Sequence, residues 1–151
     1  MGMRISGVKT SADRLRAVAA RASDPSPVIN QLPRVFAEHV SKTFATNGAS
    51  VAKPWHALTP QYRALKAKSG SPHTLVLTGR LKQSFAPGAP YNIDRRSKNR
   101  LVWGTKAPHA RLHQIGSAGG QLPARPMLVV TPELRREVRR KVRAYIVEGR
   151  R

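Results

Sequence analysis

The segment TPELRREVRRKVRAYIVEGR, residues 131–150, leaves the chain little freedom at this end. Leu134, Val138, Val142, Tyr145 and Ile146 recur at helical intervals, while Arg135, Arg136, Arg139, Arg140, Lys141 and Arg143 fill the other positions. Such a segment buries one face against a core and keeps the opposite face in water. Thr131 is placed to cap it, Pro132 suits a first turn that needs no N–H, and Glu133 and Glu137 sit near the positive end of the helix dipole. The pattern predicts a helix over 131–148.

The charges on that helix extend to the whole chain. Lys and Arg number 28 against 7 Asp and Glu, a formal net charge of +21, which the chain cannot neutralise internally. That excess points to a nucleic acid or an acidic protein surface as a neighbour. The 151 residues suit one domain large enough for its own core. The absence of cysteine excludes disulfides and thiolate metal sites and fits folding in a reducing compartment. No apolar run reaches the ~20 residues that span a bilayer, and the basic N-terminus lacks the apolar core of a secretory signal. Met1-Gly2 matches a myristoylation pattern only superficially.

Earlier elements follow from the same periodicities. Val8, Ala12, Leu15, Val18 and Ala22 form the apolar stripe of a basic amphipathic helix, broken by SDPSP at 23–27. Leu32, Val35, Phe36, Val40 and Phe44 mark a second helix, opened by Pro33 and ended at Asn47-Gly48. Trp55 and Leu58 anchor a short element, after which Thr59-Pro60 begins another, with Tyr62 and Leu65 inward. Residues 66–73 read as a polar linker. Strands are expected at the start of LVLTGRLKQSF, from Leu75, in RLVWGT (100–105) and in PMLVV (126–130). A basic hairpin arm around Tyr91 and Ile93 is expected between the first two. The expected fold class is α+β: a small antiparallel β-sheet packed against N-terminal helices and a C-terminal helix. Residues 1–27 form an N-terminal amphipathic helix and linker, and 28–151 the α+β domain.

Catalytic and metal-binding patterns are poorly served. His109 and His113 stand four apart, a helical ligand spacing, but Ala110 and Arg111 replace the glutamate a zinc hydrolase needs next to the first histidine. Arg111 would also repel a bound cation. The remaining histidines are His39, His56 and His73. No paired carboxylates, nucleophile elbow or phosphate-cradling glycine motif is present, and GSAGG (116–120) reads as a surface loop. No cofactor and no enzymatic activity are implied.

Taken in order, several short motifs carry a resemblance. They are Trp55-His56-Ala57-Leu58-Thr59, Leu75-Val76-Leu77-Thr78-Gly79-Arg80-Leu81-Lys82-Gln83-Ser84-Phe85 and Val102-Trp103-Gly104-Thr105, then His113-Gln114-Ile115-Gly116 and Leu122-Pro123-Ala124-Arg125-Pro126-Met127-Leu128. This ordered set resembles the bacteriophage virion morphogenesis family of tail-completion and head–tail joining proteins, over roughly residues 30–148. It departs from the family pattern at His109, where a tyrosine is usual, and at Ile115 and Met127, where aromatics are usual.

The resemblance implies a non-enzymatic structural protein of the virion neck, assembled in the host cytoplasm, that completes the tail and joins it to the head. It implies a closed ring, commonly a hexamer, in contact with neck and tail-tube proteins and with no membrane partner. Tyr91, His113, Gln114 and Arg125 are then candidates for subunit or neck-partner contacts. Arg95, Arg96, Lys98, Arg100, Arg135, Arg136, Arg139, Arg140 and Arg143 are candidates for facing packaged DNA in the lumen, or an acidic partner. The alternative function is a sequence-nonspecific nucleic-acid-binding protein, which needs aromatics for stacking on a basic face.

Overall fold

A computed structural model describes residues 8–51, 53–68, 70 and 73–150. The pattern at Met1-Gly2 and part of the 66–73 linker lie outside them. Three N-terminal helices come first: α1 (Val8–Ser23), the short α2 (Ser26–Ile29) and α3 (Leu32–Ala45). They are followed by α4 (Pro60–Lys68), α5 (Arg80–Gln83), a β1–β2 hairpin (Asn92–Ser97 and Arg100–Thr105), α6 (Ala110–Ile115) and α7 (Pro132–Arg143). A π-helical turn, Ala144–Glu148, continues α7. The chain is thus mixed helix and strand, with one two-stranded antiparallel sheet among the described residues. None of the described helices is long and apolar enough to cross a membrane.

Helix α3 is the centre of the fold because its stripe meets most of the aromatics. Val40, Phe44, Trp55, Phe85, Ala110 and Met127 form the buried cluster. Within it Phe44 packs edge-on against Trp55, with ring centroids 5.5 Å apart, and also contacts Phe85. Phe85 touches Trp103, which touches Phe36. This run of rings attaches the hairpin to α3, and a two-stranded ribbon needs such support to persist in water. The hairpin register pairs Asn92 with Thr105 and Ser97 with Arg100. Asp94, Arg96, Leu101 and Trp103 therefore share the core-facing side, and Arg95, Arg100 and Val102 the outer one.

The helix over 131–148 is as expected. The Thr131 hydroxyl accepts the Leu134 N–H at 3.2 Å, Pro132 occupies the first turn, and Leu134 and Tyr145 are buried. The end of this helix is closed by α1. Arg21 donates through Nε to the Ile146 carbonyl (2.8 Å) and through Nη2 to that of Val147 (3.2 Å), and the Tyr145 hydroxyl donates to the Asp24 carbonyl (2.9 Å). A guanidinium is well suited to carbonyls at the negative end of a helix.

Four expectations need correction. Leu15 is 70% exposed, because α1 docks through Ala17, Val18 and Arg21 on one flank and Leu15 lies off it. Tyr62 and Leu65 are also exposed, since α4 lies at the rim of a groove. No strand forms at 75–78: Leu75 has φ 59°, a left-handed value that interrupts an extended run. Nor does 126–130 join a sheet. Its backbone groups are taken up by side chains instead, with the Pro126 carbonyl accepting Trp55 Nε1 (3.0 Å) and the Val129 carbonyl accepting His39 Nε2 (3.0 Å). Helix α2, whose Val28 and Ile29 are buried, carries too short a stripe to be read from the sequence.

Candidate assembly and docking surfaces

The motif segments separated in sequence meet in space. Gln114, on α6, clamps the following loop with three bonds. Its Oε1 accepts the N–H groups of Met127 (2.9 Å) and Leu128 (3.0 Å), and its Nε2 donates to the Leu128 carbonyl (2.9 Å). Arg125, 7% exposed, donates Nε and Nη2 to the His56 carbonyl (both 3.2 Å), and its own N–H donates to the His113 carbonyl (2.6 Å). The Thr105 hydroxyl lies 2.7 Å from that of Ser84, so Gly-Thr is joined to the Thr-Gly-x-Leu-x-x-Ser segment. Gln114 and Arg125 therefore make their hydrogen bonds inside the subunit, as braces for the 122–128 loop.

His113 is half-buried, and its Nδ1 has no hydrogen-bond partner. Burial, then the Arg125 and His109 charges, hold its pKa below the usual histidine value. The unfolded chain then binds the extra proton first, so stability falls as pH drops from about 7 through the model-peptide histidine value near 6.5. We expect His113→Leu to flatten that slope between about pH 5.5 and 7, above the carboxylate range, in urea titrations at several pH values. Tyr91 is half-exposed at the hairpin base with φ 66°, and its carbonyl accepts the Lys106 N–H (2.9 Å).

The basic candidates divide into paired and free groups. Arg96 forms an ion pair with Asp94, which raises its pKa, and donates Nη1 to the Asn30 carbonyl (3.3 Å). Arg136 pairs with Glu133 at 2.8 Å. Arg95, Lys98 and Arg100 are exposed around the hairpin tip, and Arg135, Arg139, Arg140 and Arg143 along the outer face of α7. Of the seven carboxylates, five are already in ion pairs with nearby arginines. The two surfaces therefore present positive charge with little local compensation. Phe36, Phe44, Phe85, Trp55 and Trp103 are committed to the interior contacts, so none of these rings offers a stacking platform on either basic surface.

A third feature is a groove of about 580 Å³ between α4, the 75–81 segment, the start of α6 and the 122–125 loop. Leu58, Leu75, Leu77, Leu81 and Leu122 line it, together with Lys66, Arg80, His109, His113 and Arg125. Lys66 is 3% exposed and its Nζ donates to the His73 carbonyl. Burial, and then the Arg125 charge, push the Lys66 pKa below the usual lysine value. By composition Lys66 belongs to a polar linker. The only signal for it is its place one turn beyond Tyr62 on a helix with few apolar residues.

The described residues thus form an α+β chain with a basic C-terminal helix and a basic hairpin. The profile of the phage virion morphogenesis family matches residues 4–147, and the chain belongs to that family. Among curated proteins, it is 26% identical over 136 residues to Mu-like prophage FluMu G protein 2 of Haemophilus influenzae, covering 87% of this chain and 85% of that one. No solved structure matches it. Its role is accordingly in the structure or morphogenesis of a phage virion.

Proposed function

We propose that this chain is a non-enzymatic tail-completion protein whose copies close into a ring at the neck and join the tail to the head. The observation that carries this reading is the pair of strongly basic surfaces, on α7 and the hairpin, only partly offset by Glu133 and Asp94, in a chain of a virion morphogenesis family. Cyclic assembly uses heterologous contacts, one patch meeting a different patch on the next copy. An exposed arm such as the hairpin, with Tyr91 at its base, suits that geometry. Arginines turned to a lumen hold phosphates without reading sequence. The same charges would hold an acidic neck protein.

Electron microscopy of intact particles tests the proposal. A ring of this polypeptide between capsid and tail, and unjoined heads and tails when it is deleted, are the expected results. Infectious particles that lack it overturn the reading. A second measurement addresses the charges. Changing Arg139, Arg140 and Arg143 to alanine should lower the slope of log binding constant against log salt, on duplex DNA, by about 1 for each phosphate that is no longer neutralised.

A further inference from the structure

We infer that the groove between α4 and α6 is a docking site for an acidic residue flanked by apolar side chains, presented by a partner protein of different sequence. Its walls are leucines and its floor is cationic. Lys66 and Arg125 are both more than nine-tenths buried, His113 contributes a buried Nδ1 without a partner, and Arg80 stands at the rim. No aspartate or glutamate among the described residues lines this groove. Two buried cations without a counter-ion are costly to the subunit alone, because desolvation is compensated only by an opposite charge. Each has one backbone carbonyl as acceptor, His73 for Lys66 and His56 for Arg125, which leaves donor capacity on both. A carboxylate would satisfy that capacity with charge-assisted bonds in a partly dry setting.

The groove's size falls within the usual range for bound small molecules and side-chain clusters. Its occupant is not a second copy of this chain. Five of the seven carboxylates are in ion pairs and Asp24 accepts two bonds from Ser26, so the chain has few unengaged carboxylates to offer a second copy. The remaining one, Glu137, lies on α7 between arginines. A partner with surplus acidic groups matches the charge. The inference stands on the groove alone and holds whether or not the subunits close into a ring.

The probes are two capped peptides, Leu-Ala-Glu-Leu-Leu and its glutamine counterpart, titrated to millimolar concentration into the full-length ¹⁵N-labelled chain. The glutamate peptide is expected to give saturable amide shifts at Lys66, Leu81, His113 and Leu122. The glutamine peptide should bind about tenfold more weakly, the scale of one charge-assisted hydrogen bond. Lys66→Met, which leaves Arg125 as the second cation, should cut that preference severalfold. If it unfolds the chain, Lys66→Gln, which keeps a donor toward the His73 carbonyl, makes the same comparison. Equal binding of both peptides, no saturable shift, a preference undiminished by loss of the lysine, or shifts confined to the hairpin and α7 would overturn the inference. Groove shifts that grow with protein concentration in the absence of peptide would assign the site to a second copy and overturn it as well.

Discussion

Trp55→Ala is expected to lower the unfolding free energy by about 3–5 kcal/mol, the range for deleting a buried large aromatic, and to be the most damaging single change in the core. The ring is 6% exposed, packs edge-on against Phe44, and donates from Nε1 to the Pro126 carbonyl. The Trp55 backbone N–H, which the substitution keeps, closes the turn after α3 by bonding to the Asn47 carbonyl at 2.7 Å. Removing the ring opens a cavity next to Phe44 and releases the entry to the 126–130 segment. Trp55→Phe separates the two effects. It keeps most of the packing and leaves the Pro126 carbonyl without its donor, at about 1–3 kcal/mol. Urea melts of the two variants should therefore show a graded loss. Equal midpoints for wild type and Trp55→Ala would contradict the packing described.

Gly116→Val comes next. Gly116 has φ 80° and ψ 176°, a backbone region that is essentially reserved for glycine and costs other residues about 1–3 kcal/mol. A Cβ there would also lie 2.9 Å from the Leu122 carbonyl oxygen and 3.1 Å from the Ala124 nitrogen, both backbone atoms. These neighbours cannot swing aside like the end of a flexible side chain, so the combined cost should exceed about 3 kcal/mol. The change also forces the 122–125 loop away from α6, where Gln114 and the His113 carbonyl hold it. Thermal unfolding should register a large drop in Tm. Amide exchange should show the 122–128 loop losing protection first. A Tm within a degree or so of wild type would mean that the loop does not approach the glycine as closely as described.

How far the sequence disclosed this arrangement depends on the kind of signal each element carried. The C-terminal helix was legible because cap, first-turn proline and apolar period agree at Thr131, Pro132 and Leu134. RLVWGT was legible as a strand from its composition, but its pairing with 92–97 was not, because Asp94, Arg95 and Arg96 give that segment the look of a basic arm. The strand expected at 126–130 failed for a physical reason. Its composition suits burial in a sheet, but Trp55, His39 and Gln114 satisfy its backbone from the side, and composition cannot distinguish a side chain from a neighbouring strand as the partner. The inward placement of Tyr62 and Leu65 failed because a short helix at a groove rim has the same apolar content as one packed on a core.

The candidate site was legible to a similar degree. The exposed cations of α7 and the hairpin tip could be read from charge and period alone. Gln114 and Arg125 stand out in the sequence as members of ordered motifs, and the structure adds that they brace their own subunit. The groove was invisible in the sequence. It assembles from four segments far apart along the chain, and its most buried cation, Lys66, sits in a stretch whose composition reads as solvent-exposed.

The Arg21 clasp sets an order on how a nascent subunit matures. Arg21 is translated 125 residues before the carbonyl of Ile146 that it grips. At synthesis rates of about 5–20 residues per second, the opening helix waits on the order of ten seconds for its seat. A polypeptide terminated prematurely never acquires that seat, so its guanidinium and the flank beside it stay bare. The joint between α1 and the turn that ends α7 thus forms only once both segments, 125 residues apart, have been made.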